Sequence, residues 1–347
     1  MEVKEKIILI GILVLIIVSA IGLRFLSSKT QVSSSDLPEG VYQYLNNHEF
    51  TDICFAWGKV YCSGVDGLFV IDPLTNEAEY IESELRFVRA LEYDVVNNKL
   101  WVGHSKGIAI YNGAEFESTH YISEIDHTIN EILIADKQVF IGTFKGLYVV
   151  VNDEVVARYT SGEGLLSDMV NRLIEDEYGN IWYGTYIAKI GGVGYISNKE
   201  VVKSFGLEDG LAHNAITSIV QFNHNQILVG GGVYTGGGAS LLSLESNEWV
   251  ITESIFKDDG LAGDKVRHIF ISKGRNIWFC SEYDGVAIFD EKLTPLALVT
   301  TKEGLSDHEV KKIIEDDDGS LWMATRSGVT KFEVIRLKSL ISDIIIL

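Results

Sequence analysis

The chain has 347 residues, with 29 Lys and Arg against 49 Asp and Glu and a net charge of −20; 46% is hydrophobic and 22% charged. That balance excludes a disordered chain and argues against non-specific nucleic-acid binding, which draws on Lys and Arg against phosphate. Thirty-three Gly and only 3 Pro, with 15 Tyr, 15 Phe and 6 Trp, predict many tight turns between short strands around a sizeable core.

The chain opens on an apolar segment, Ile7 to Leu23, without a charge. As a helix at about 1.5 Å per residue it spans roughly 25 Å, close to the lower limit for a bilayer. Residues 1–26 are read as an uncleaved membrane anchor, with a signal peptide cleaved near Val18-Ser19-Ala20 as the alternative. Both place the remainder outside the cytoplasm, anchored in a periplasmic or extracellular setting or secreted. No Cys lies near the segment to carry a lipid. Residues 27–39 are a polar linker and 40–347 the folded part. Cys54 and Cys62 flank a hairpin turn at Trp57-Gly58-Lys59. They are read as buried free thiols, with a cross-strand disulfide as the alternative.

From residue 60 onward one unit recurs seven times, as VYCSG, LWVGH, VFIGT, IWYGT, ILVGG, IWFCS and LWMAT. Its aromatic column is Tyr61, Trp101, Phe140, Trp182, Leu228, Trp278 and Trp322, with spacings of 40, 39, 42, 46, 50 and 44. A Gly and an apolar strand follow each copy. An apolar strand precedes it, often ending in a turn such as DEYGN or DDDGS. Period and strand count predict an all-β, seven-bladed β-propeller of four-stranded blades, behind one N-terminal transmembrane or signal helix. The aromatic column should fill the layers between blades. Val41 to Leu45 is expected to close the last blade, with the C-terminal LISDIIIL competing for that place.

The segments GLSDHEVKKIIEDDDGSLWMATRSGVTKF and GLLSDMVNRLIEDEYGNIWYGT resemble the two-component regulator propeller repeat family. The resemblance spans roughly residues 40 to 335 and is sharpest over the last four repeats. It implies the seven-bladed extracytoplasmic sensor half of bacterial hybrid histidine kinases, and therefore a binding habit without catalysis. Nothing in the 347 residues corresponds to the kinase part, so the expectation is recognition without an attached kinase.

Site expectations fall on one end of the ring, here called the top, where second strands turn into third strands and blades connect. Between those strands blades four and five carry insertions, Tyr186-Ile187-Ala188-Lys189-Ile190 and Val233-Tyr234-Thr235-Gly236-Gly237. A polar column two residues before each inner strand reads His48, Arg86, His127, Asp168, Asn214, Asp264 and His308. These side chains are expected to ring the channel mouth, where Tyr186 and Tyr234 would stack and Lys189 and Arg86 hydrogen-bond. Capping of local turns is the competing role for the column. Several motifs are set aside: GGGVYTGGG lacks the Lys-Ser/Thr ending of a phosphate loop, and EDDDGSLW lacks calcium-loop spacing. No catalytic residue, cofactor or resident metal is expected.

The reading is a propeller that binds a carbohydrate, peptide or protein on its top face. Its N-terminal helix would engage the membrane, and a separate signalling or envelope protein is a further partner; nucleic acid is not. The alternatives are an extracytoplasmic lyase or hydrolase built on His127, Asp168, Asp264 and His308, and a structural subunit of a cell-envelope complex.

Overall fold

The computed structural model describes residues 30–31, 37–187, 189–234 and 236–342. The apolar segment at 7–23 and most of the 27–39 linker lie outside them. Among the described residues no helix is long and apolar enough to cross a membrane.

Seven antiparallel sheets form the molecule. Their innermost strands are Phe50–Ala56, Ala90–Asp94, Ile129–Ala135, Val170–Glu175, Ile216–Asn223, Val266–Ile271 and Val310–Glu315. Each touches the next, and the last touches the first, so the ring is closed. The closing strand is Val41–Tyr44, which pairs antiparallel with Gly328–Phe332, Val41 opposite Phe332 and Tyr44 opposite Val329. The last blade thus takes its fourth strand from the N-terminal side and presents no open edge there. Of the rival segment, 340–342 end a helix, Val334–Ser342, that lays Leu337 and Leu340 against the layer between blades six and seven, and 343–347 lie outside the described residues. Blade one gains a fifth, two-residue strand, Thr30–Gln31, on its outer edge.

Seven hydrophobic clusters fill the seven inter-blade layers. Every member of the aromatic column is buried, at most 8% exposed, and faces the following blade. Close packing there explains the small residues two positions on. A Cβ on Gly184 would stand 2.5 Å from Ile216 of the next blade, and one on Gly230 2.6 Å from Val266. The repeated turns serve this layer. In blade four, Asp176 accepts from the backbone N–H groups of Tyr178 (2.9 Å) and Asn180 (2.8 Å), and Gly179 takes φ 77°. The second oxygen of Asp176 accepts from the Trp182 indole N–H at 2.8 Å, so one carboxylate shapes the turn and satisfies the buried Trp. Asp316 does the same for Ser320 and Trp322. The Gly-Leu leaders of blades four to six end short 3₁₀ turns on Gly164, Gly210 and Gly260 in left-handed backbone. Each following Leu is buried.

Strand register settles the cysteines. Cys62 lies opposite Ile53 and Cys54 opposite Tyr61, so the two thiols point to opposite faces of blade one. Both are free, and burial pushes both thiols up.

Candidate functional site

The two insertions take different forms. In blade four, the described residues of the insertion, 186–187 and 189–192, form no strand, and Tyr186 is tied to the next blade by an isolated bridge to Ala215. In blade five the expected loop is instead more hairpin. Strands Gln226–Val233 and Gly236–Glu245 stay paired up to Val233 opposite Gly236, because the Gly-rich run lets two backbones lie close. Tyr234 at its tip is 84% exposed. A network in blade six connects the two tyrosines. Lys265 donates to the Tyr186 hydroxyl at 3.1 Å and pairs with Glu282. The Tyr283 hydroxyl donates to Glu282 at 3.1 Å, and its ring meets Tyr234 edge-on at 6.2 Å. Lys265 holds the Glu282 carboxyl below its usual range against the cost of burial. Lys189 is exposed, and its carbonyl accepts from Asn214 at 3.5 Å.

The polar column at the inner-strand leaders is held by local contacts. Asp168 accepts from the N–H of Ser161 at 2.6 Å and Asn214 from that of Leu207 at 2.9 Å, each closing the 3₁₀ turn seven residues earlier. His308 meets Thr301 at 3.2 Å across the same spacing. His48 pairs with Asp66 at 2.9 Å and His127 contacts Thr143 at 3.2 Å. Arg86 donates to the carbonyls of Leu85 (2.6 Å) and Ser83 (3.2 Å). Asp264 is exposed. Asp168 and Asn214 thus close turns, His308 makes the corresponding contact, and none of His127, Asp168, Asp264 and His308 hydrogen-bonds another. Among the described residues no group of His, Cys, Asp and Glu is arranged to hold a metal ion.

The channel is lined by the residues three and four positions further along. The first of these columns reads Thr51, Arg89, Asn130, Asn171, Thr217, Arg267 and Lys311. Its four neutral members latch neighbouring blades: Thr51 donates to the carbonyl of Val88 (2.7 Å), Asn130 to Val170 (2.9 Å), Asn171 to Ile216 (2.9 Å) and Thr217 to Val266. Its three cations reach the mouth instead. The next column carries Asp52, Glu131, Arg172, Ser218, His268 and Lys312 inside the channel. There Lys312 pairs with Asp52 at 2.5 Å and Arg172 with Glu131 at 3.1 Å. Burial raises the Glu131 carboxyl and pushes the His268 imidazole down to about 3, which leaves that ring neutral. One step deeper, burial raises Glu92 to about 7.

At the mouth lies a recess of about 360 Å³ whose lining includes Glu49, Phe87, Arg89, Phe144, Arg267 and Lys311. Two of its cations are paired: Lys311 with Glu49 and, at 3.8 Å, with Glu309; Arg267 with Glu309 at 3.3 Å. Arg89 has no acid partner among the described residues, and its guanidinium lies 5.7 Å from the centre of the Phe144 ring. Desolvation and the like charges of Arg172 and Arg267 hold its pKa below the usual value. Two large apolar side chains stand open beside it, Phe87 at 56% and Phe144 at 40% exposure. Phe87 also sits at φ 53°, left-handed backbone that an aromatic residue adopts only at a cost.

A larger cleft, about 810 Å³, opens between blades one and two, where the outer strand Phe116–Ser118 has only three residues. Two of its polar side chains are held by backbone groups. Arg86 is bonded as above, and His104 meets the Thr119 carbonyl at 3.0 Å and the Lys106 N–H at 3.3 Å. The mouth recess differs in setting the Arg89 guanidinium, without an acid partner among the described residues, beside two exposed phenyl rings. It escaped the sequence reading because six of the seven inner strands bulge at their start, as between Val266 and His268. The polar residues after the bulge then turn inward, out of the expected alternation. The signal that would have found them is that the column beginning at Thr51 is polar in all seven repeats.

Residues 164–186 and 304–327 match the family Two component regulator propeller. No curated protein sequence matches the chain. Among solved structures, the chain is similar to the extracellular domain of BT3049, assigned as a hybrid two component system of B. thetaiotaomicron. There the identity is 20% and the TM-score 0.74, over 88% of this chain and 42% of that one. It is also similar to the extracellular domain of BT4673 of the same organism, assigned as a one component system, at 13% identity and TM-score 0.68 over 88% and 40%. The chain thus spans about four-tenths of the length of these two structures. A streptogramin B lyase shares the fold at 14% identity and TM-score 0.62, over 84% of this chain and 96% of that one.

Proposed function

We propose that the protein is an extracytoplasmic, sensor-type binding module that takes a ligand on the top face of its ring, at the channel mouth. The observation that carries this is the recess where Phe87 and Phe144 stand exposed beside an Arg89 without an acid partner. Exposed rings on a rigid scaffold offer contact area at little entropic cost, and a strained Phe87 backbone is the kind of expense retained at binding sites. The repeats matched at 164–186 and 304–327, and the likeness to extracellular domains of regulatory proteins, support a sensor-like role. Tyr186 and Tyr234 extend the face through the Lys265 network. The apolar segment at 7–23 would hold the ring at a membrane, outside the cytoplasm.

A thermal-shift screen of sugars, peptides and organic acids tests the site, run on the wild type and on a Phe144→Ala, Tyr186→Ala double variant. At least one compound is expected to raise the wild-type Tm and to lose that effect in the variant. Stabilisation that persists equally in the variant places the site elsewhere. Location is tested by fusing alkaline phosphatase after Leu347: activity is expected in cells, and an inactive but expressed fusion contradicts an extracytoplasmic ring.

A further inference from the structure

Resting on that reading of the top face, we propose that the mouth recess selects an anion, a ligand that presents a carboxylate beside an apolar or aromatic ring. Arg89 would take the carboxylate, and Phe144 with Phe87 the ring. The charge arrangement argues for this. The whole chain carries −20, yet this recess gathers three cations, Arg89, Arg267 and Lys311, against two carboxylates, Glu49 and Glu309. Three minus two leaves one positive charge, and it falls on Arg89. Arg89 also stands in the field of Arg172 and Arg267 and is partly desolvated, so a bound anion relieves repulsion that the free protein carries. A guanidinium offers a two-pronged fit to a carboxylate, and this one lies over Phe144, 5.7 Å from the ring centre. The adjoining exposed phenyl rings supply an apolar surface that a lone inorganic ion would leave unused. Arg86 does not compete for this role, because its guanidinium already donates to two backbone carbonyls and lines the cleft between blades one and two.

A matched pair of probes separates charge from shape: 2-naphthoate and its neutral isostere 2-naphthamide, titrated calorimetrically into the wild type, Arg89→Gln and Phe144→Ala. The expected result is naphthoate binding at least about tenfold tighter than naphthamide at low salt, the gap shrinking as salt rises. Arg89→Gln should bring naphthoate down to the level of the amide, and Phe144→Ala should weaken both. Equal wild-type affinities for the two probes, both lost in Phe144→Ala, would overturn the anion preference while leaving the binding face in place. Naphthoate binding that neither substitution changes overturns the anion preference and the location together. Absence of naphthoate binding at millimolar concentration also overturns the proposal. The Arg89 side chain reaches solvent and makes no described hydrogen bond, so the glutamine variant should keep the wild-type Tm, which is checked alongside.

Discussion

Single carboxylates do more in this chain than its net charge suggests. Asp176 closes a turn and also accepts from the buried Trp182 indole, so Asp176→Ala leaves several donors unmatched at once. The expected loss is about 2–4 kcal/mol, read from urea denaturation. Glu177→Ala in the same turn should fall within about 0.5 kcal/mol of wild type, since its carboxylate is half exposed and meets only the exposed His224. Glu92 carries the opposite burden. Burial, with Glu131, Asp52 and Asp94 nearby, outweighs Lys312 and raises it to about 7. Because the folded pKa lies above the unfolded one, the native state binds more protons between about pH 4.5 and 7. Stability from this group is therefore complete below that window and lost as pH rises through it, by at most about 3 kcal/mol. Glu92→Gln should raise Tm at pH 8 relative to wild type and change it little at pH 4.5; equal shifts at both values would contradict the assignment.

Closure is decided at the scale of one strand. Val41 and Tyr44 are buried between the last blade and its neighbours, and Tyr44 stacks on Trp322 at 5.5 Å. A chain beginning at residue 46 would strip the last blade of its fourth strand and expose that layer. It should lose cooperative thermal unfolding by circular dichroism, whereas a chain beginning at residue 37 should retain it. Most of this scale was legible in the sequence. The Trp column, the Gly-Leu leaders and the DEYGN turns each repeat at fixed places, and repetition reveals packing that a single copy would hide. The choice between Val41–Leu45 and the C-terminal residues was not legible, because both are apolar and either could pair with an edge. The blade-five insertion was misread because Gly ordinarily marks a loop, while a Gly run inside a paired hairpin looks the same in sequence. The mouth recess was hidden for a third reason, the bulge at the start of six of the seven inner strands, which brings a polar column three residues further along to the channel.

Across the whole molecule, two concave surfaces compete as the place of recognition, the channel mouth and the larger cleft between blades one and two. They lie on different parts of the ring and share Ser105 among their lining. Volume favours the cleft, whereas the Arg89 guanidinium beside two exposed phenyl rings and the strained Phe87 backbone favour the mouth. The two are distinguished by hydrogen–deuterium exchange of the full chain, with and without a compound that stabilises it in the thermal screen. Binding at the mouth predicts slowed exchange over residues 86–90, 143–146 and 265–268, with no change at the bottom turns 57–59 and 112–115. Slowed exchange at 112–120 with none at 143–146 or 265–268 would contradict the account.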